Sequence, residues 1–124
     1  MRVKILVLFA TILFIVSLSA CINKNKFDNQ LNLVIKLEKD YLKNKMKVNN
    51  TEKIKRSSIV IAVYKNGDFI NLTYDLNNSS NKIDCFYIKT KESKYIRYLN
   101  TDKEIEKVEK DLRHADYIEN TYYK

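Results

Sequence analysis

Residues able to do chemistry are sparse in this chain of 124 residues. It has one histidine, His114, and a Ser-His-acid triad could be assembled only around it. The serines Ser57, Ser58, Ser79, Ser80 and Ser93 stand in plain strand or loop contexts, so His114 reads as a surface histidine near the end of the last helix. No Cys/His cluster has metal-ligand spacing. A phosphate loop needs several glycines, and Gly67 is the only one. Glu104, Glu106, Glu109 and Asp111 are interspersed with lysines, an ordinary solvated helix face with i,i+4 partners such as Glu106 and Lys110. The expectation is a non-catalytic protein without metal or cofactor. The one sulfur in a specific chemical context is that of Cys21.

Cys21 closes the run Leu18-Ser19-Ala20-Cys21. Before it stand Arg2 and Lys4, then an uncharged apolar stretch from Ile5 to Ser17. A basic start, an apolar middle and small residues before a cleavage point make an export signal. A membrane-spanning helix needs about 20 consecutive apolar residues, and this run is shorter. A plain secretory signal would tolerate any residue at position 21. The pattern resembles the lipobox of bacterial lipoproteins, which implies that Cys21 is acylated and the chain cut just before it. The expected organisation is a signal peptide over 1–20, a lipidated tether over 21–25 and a single domain over 26–124. The expected location is the outer face of the cell membrane. One acyl chain anchors only marginally, and lipoprotein chemistry implies at least two on this cysteine, a durable anchor.

Loss of residues 1–20 removes two cations and no acid, so the formal net charge falls from +8 to +6. Ile, Lys and Asn are abundant and have A/T-rich codons, which implies an A/T-rich genome, a Gram-positive bacterium being the most plausible. Basic residues are scattered among acids and no nucleic-acid recognition motif is present, so nucleic acid is rejected as a partner. The charge means either weak attraction to anionic headgroups and wall polymers beside the anchor or solubility alone. With Cys21 lipidated, Cys85 has no partner in the chain. It lies within the apolar stretch Ile83–Ile88 and reads as a small buried hydrophobe.

A helix is expected over 26–44. Asn25 can cap it, with Asp28 three residues on. Phe27, Leu31, Val34, Ile35, Tyr41 and Leu42 form its apolar stripe, widened by Leu33 and Leu37, and Lys36, Lys39, Asp40 and Lys43 its polar face. The runs 59–64 and 69–74 flank Lys65-Asn66-Gly67-Asp68, and Asn-Gly is the strongest short hairpin signal. A type I′ turn at Asn66-Gly67 pairs Val63 with Ile70, Ile61 with Leu72 and Ile59 with Tyr74 on one apolar face. Val60 with Thr73, Ala62 with Asn71 and Tyr64 with Phe69 make a mixed, largely solvated one. After the polar loop 77–81, a second hairpin over 82–99 turns at Lys91-Glu92-Ser93. Its register is open: a three-residue loop there pairs Ile88 with Ile96 and Phe86 with Tyr98, a better match than the two-residue alternative, which pairs Ile88 with Arg97. Thr101 and Glu104 form a capping-box pattern opening a short helix with Ile105, Val108 and Leu112 on one side. The tail 114–124, with Tyr117, Ile118, Tyr122 and Tyr123, reads as either a strand or an extended cover. The class is α+β: a helix on a four-stranded antiparallel sheet, plus a short C-terminal helix.

Nine tyrosines are many for a chain this small. Tyrosine offers rigid amphipathic contact area and is enriched at interfaces. Tyr64 and Phe69 are the apolar pair on the mixed face, so Tyr64, Asp68 and Phe69 at the tip of the first hairpin are the candidate partner-binding residues. The plain alternative is that the two rings merely stabilise the hairpin.

Taken together, Cys21, the charged helix from Asn25-Lys26-Phe27-Asp28 to Ile35-Lys36-Leu37-Glu38-Lys39, the Tyr64–Asp68 hairpin tip and the Ala115-Asp116-Tyr117 tail resemble a small family of Gram-positive cystatin-like fold lipoproteins. The resemblance spans nearly the whole chain and implies a helix cradled by a curved antiparallel sheet. True cystatins block cysteine proteases through a Gln-x-Val-x-Gly loop. That motif is missing from the hairpin tip, and Gln30, the sole glutamine, lies in the helix, so protease inhibition is not supported. Some relatives act as immunity lipoproteins against lipase toxins exported by type VII secretion. The resemblance therefore implies a membrane-anchored protein that binds and neutralises a secreted phospholipase. The alternative is a cell-surface accessory lipoprotein that holds an anionic wall polymer or a partner of a secretion or conjugation machine.

Overall fold

The computed structural model describes residues 26–52, 54–76, 82–110 and 114–121. Helix α1 (Asp28–Asn44) is followed by strands β1 (Val60–Tyr64), β2 (Phe69–Asp75), β3 (Lys82–Lys89) and β4 (Tyr95–Leu99), then helix α2 (Lys103–Glu109) and strand β5 (Tyr117–Glu119). The strands form one open antiparallel sheet in the order β4-β3-β2-β1-β5. The fold is α+β, and the expected count of four strands is corrected to five. The tail supplies the fifth by pairing Ile61 with Glu119, Ala62 with Ile118 and Val63 with Tyr117. Three residues are too short for an alternation signal. Tyr117 packs at the core margin, and polar bonds flank the strand: Asp116 N–H donates to Val63 O at 2.7 Å, and the Asn120 amide donates to Arg56 O at 2.6 Å and Ile59 O at 3.0 Å.

The inner face of the sheet carries Ile59, Ile61, Val63, Ile70, Leu72, Tyr74, Cys85 and Tyr87. Phe27, Leu31, Val34, Ile35 and Leu42 of the α1 segment close over them, and Ile54 joins the same core. Leu37 packs at the margin of this core, but Leu33 is 45% exposed and does not widen the stripe as expected. The helix begins two residues later than its expected start. Asn25 lies outside the described residues, and Phe27 takes the cap position with no side-chain hydrogen bond. Phe27 is there because its ring is buried, tilted against Tyr117 with centroids 6.0 Å apart.

The first hairpin has the register read from the sequence, and the second takes the three-residue-loop alternative. In the first, Asn66 (φ 56°, ψ 34°) and Gly67 (φ 98°) have the positive φ of a type I′ turn, closed by Asp68 N–H to Lys65 O at 3.1 Å. Lys65 joins them at φ 47°. In the second, Ser93 N–H reaches Thr90 O at 3.0 Å and Ser93 itself is left-handed at φ 64°, a three-residue loop. Thr101 does not cap α2. Asp102 occupies that position, and its carboxylate turns back to accept Leu99 N–H at 2.7 Å. Ile105 is fully buried and Val108 half-buried, while Leu112 and the loop 77–81 lie outside the described residues.

Candidate functional site

The outer face of the sheet runs in cross-strand rows. Nearest the hairpin tips, Tyr64, Phe69, Ile88 and Ile96 follow one another across β1, β2, β3 and β4. The next row is Ile118, Ala62, Asn71, Phe86 and Tyr98. Beyond it lie Thr73 and Asp84. The face is therefore graded. Its far end is polar and internally bonded: the Asn71 amide donates to Asp84 at 2.6 Å and Asn100 to the same carboxylate at 3.2 Å. Its tip end is apolar and aromatic. Ile96 is 47% and Ile118 53% exposed. Ala62 and Phe86 on this face are buried, so it is less solvated than its mixed composition implies.

Of the predicted site residues, Tyr64 and Phe69 are cross-strand partners and half-buried. Lys65 extends its ammonium over the Phe69 ring at 4.8 Å from the centroid. Asp68 stands in the turn with its side chain exposed, and its carbonyl accepts Lys89 N–H at 2.8 Å. The structure thus brings the three together. Ile88 and Ile96 extend their row; the second-hairpin register pairs those two, but the β2–β3 pairing that sets Ile88 beside Phe69 was not read from the sequence. Ile118 joins the neighbouring row through β5. Cys21 lies outside the described residues. His114 is exposed, and α2 ends before it, at Glu109.

The tip is fixed by tertiary bonds. Tyr95 OH donates to Gly67 O at 2.6 Å, and Asn66 N–H donates to the Asp116 carboxylate at 2.7 Å. A side chain at Gly67 would place its Cβ 3.3 Å from Gln30 Nε2 and 3.7 Å from the Phe27 ring. The turn therefore sits on the start of α1. Burial and the nearby Asp68 charge both push the Tyr95 phenol upward, so it stays a proton donor at neutral pH.

Sequence reasoning missed a buried polar cluster beneath the helix. Glu38 is wholly buried on the apolar stripe. It accepts Tyr74 OH at 2.6 Å, Tyr87 OH at 2.7 Å, and Arg97 Nε and a second guanidinium nitrogen at 2.7 and 3.0 Å. Arg97 also stacks on Tyr41, 3.9 Å from its centroid. Burial would raise the Glu38 carboxyl, but the Arg97 bond, then those from Tyr74 and Tyr87, hold it below the usual range. Burial and the Glu38 hydrogen bond push both phenols up. Burial likewise raises the adjacent Cys85 thiol. Through these bonds the buried carboxylate joins α1 to β2, β3 and β4 as a strut. A second ionic group, Arg56 with Glu119 at 2.8 Å and Asp28 at 2.8 Å, ties β5 to the start of α1. Among the described residues no group of His, Cys, Asp and Glu could hold a metal ion.

No protein-family model, curated protein or solved structure matches this chain.

Proposed function

We propose that this protein is a lipid-anchored, non-catalytic binding protein at the outer face of the cell membrane, and that it neutralises a secreted phospholipase as an immunity protein. The observation that carries the binding reading is the graded outer face, with Tyr64, Phe69, Ile88 and Ile96 in one rigid apolar row at the hairpin tips. Aromatic anchors beside a polar surround are what protein interfaces use. The lipobox residues support the anchor, and a helix lying on an antiparallel sheet supports the cystatin-like reading that carries the immunity role. A toxin that attacks phospholipid from outside must be met there, and a tether raises the inhibitor's local concentration.

The test presents the chain from residue 22 onward to the secreted proteins of the producing strain. Capture of a lipase, with its activity falling at stoichiometric protein, is expected. Tyr64→Ala with Phe69→Ala should abolish capture while the circular dichroism spectrum is kept. Capture of only an anionic polymer, released by moderate salt, would overturn immunity in favour of the accessory-lipoprotein reading.

A further inference from the structure

The start of α1 and the two hairpin tips occupy one end of the domain. Gly67 lies against Gln30 and Phe27, Tyr95 OH reaches Gly67 O, Asp68 O accepts Lys89 N–H, and Asp116 holds Asn66 N–H. This end carries the exposed lysines Lys26, Lys65, Lys91 and Lys94. Of its acids, Asp28 is paired with Arg56, while Asp116, which accepts Asn66 N–H, keeps its charge beside Asp68 and Glu92, three carboxylates against the four lysines. Beside the second tip lies an open depression of about 520 Å³, lined by Thr90, Lys91, Glu92, Lys94, Tyr95 and Ile96.

Resting on the reading of Cys21 as the lipid-bearing residue, we infer that this end, through Lys26, Lys65, Lys91 and Lys94, docks on anionic lipid headgroups. Charge alone does not choose the end, because cations such as Lys43, Lys45 and Lys47 stand at the far end of α1. The tether chooses it. Five residues from Cys21 to Lys26 reach at most about 18 Å. The helix of 17 residues is about 25 Å long. The chain is too short to invert the domain and bring the C-terminal end of α1 to the bilayer. Lysines at the tips then meet anionic headgroups, where each cation near the surface is attracted. The Tyr64–Ile96 row stands immediately above them, at the plane where a phospholipase works.

The experiment uses the full chain processed by a Gram-positive host, extracted with its lipid and placed in vesicles of phosphatidylcholine, with or without phosphatidylglycerol. A fluorophore is attached at Lys91→Cys or at Lys45→Cys, Cys85 being buried, and quenched by nitroxide on the lipid headgroup. Several-fold stronger quenching at position 91 than at 45 is expected on phosphatidylglycerol. The gap should narrow in high salt and with Lys65→Glu plus Lys94→Glu, both exposed positions, to the smaller difference that the tether alone imposes and that phosphatidylcholine vesicles show. Equal quenching, or stronger quenching at 45, on protein whose mass shows lipid at Cys21 would overturn the docking alone. An unmodified Cys21 would overturn the anchor and this proposal with it.

Discussion

Arg97→Met should expose how much of the fold hangs on one buried carboxylate. Glu38 has no exposed surface and Arg97 keeps 12% of its side chain exposed. Removing one partner of such a pair leaves an uncompensated charge and costs about 3–5 kcal/mol, against a total of about 5–15 kcal/mol for a domain. The pH dependence should also change sign. In the native protein the Glu38 carboxyl is held below its unfolded value, so its contribution is present above about pH 4.3 and lost as pH falls through the depressed folded value. Without Arg97, burial dominates and the folded carboxyl rises above the unfolded one. Stability is then largest in acid and declines as pH rises through that raised value. Urea unfolding followed by circular dichroism at pH 5 and pH 7 reads this directly. The variant should unfold at higher urea at pH 5 than at pH 7, by contrast with the native chain. Every other titrating group is common to both proteins, so the difference in slope belongs to Glu38. Glu38→Gln added to Arg97→Met should restore part of the loss and erase the inverted slope. A loss under about 1 kcal/mol, with native pH dependence, would refute the reasoning.

Two further outcomes follow from the same structure. Gly67→Val forces a β-branched residue to φ 98° and sets its Cβ against Gln30 and Phe27; it should cost about 1–3 kcal/mol, and an unchanged urea midpoint would contradict the turn geometry. Cys85, buried with its thiol pushed up, should be inert to a thiol reagent in the native protein and react at the rate of unfolding; fast labelling under native conditions would place it elsewhere.

The parts legible in the sequence were those fixed by local chemistry. Asn66-Gly67 set the first register; at the second tip the match of Ile88 with Ile96 favoured the three-residue loop without deciding it. The placing of Tyr64 opposite Phe69 was legible for the same reason, being a register statement. Leu31, Val34, Ile35 and Leu42 marked the buried face of α1 by spacing. Glu38 falls on that same spacing, between Ile35 and Leu42, and the acid on the stripe was the available signal. Its meaning depends on Tyr74, Tyr87 and Arg97, distant in sequence and close only once three strands are assembled. Strand β5 was undecided because three residues carry no apolar alternation, and the Asp116 backbone bond to Val63 and the Asn120 side-chain bonds that flank it exist only in the folded chain. At α2 two capping-competent residues, Thr101 and Asp102, stand side by side, and only the folded chain shows the Asp102 carboxylate turning back to Leu99.

The hairpin tip combines unfavourable backbone with dense restraint, and that combination bears on its use. Lys65 and Asn66 both hold positive φ, a conformation that costs an L-residue roughly 1–2 kcal/mol. A free turn would relax it. Here Tyr95 to Gly67, Asp116 to Asn66 and Asp68 to Lys89 tie the tip to β4, the β5 segment and β3. Each is worth about 1 kcal/mol net, more for the bond to the charged carboxylate, enough to offset the strain. A tip tied to three strands does not lose freedom when a partner arrives, and ordering costs of about 0.5–1.5 kcal/mol per side chain are largely met on folding. Rigid presentation of Tyr64 and Phe69 is what a tight inhibitor needs and what a hairpin serving only its own stability does not. Asp116→Ala therefore separates the two roles. It should loosen the tip, weaken partner capture and leave the Ile61–Leu72 pairing protected from hydrogen exchange. Capture that survives a tip loosened in that way would leave the ring pair as a purely structural clasp.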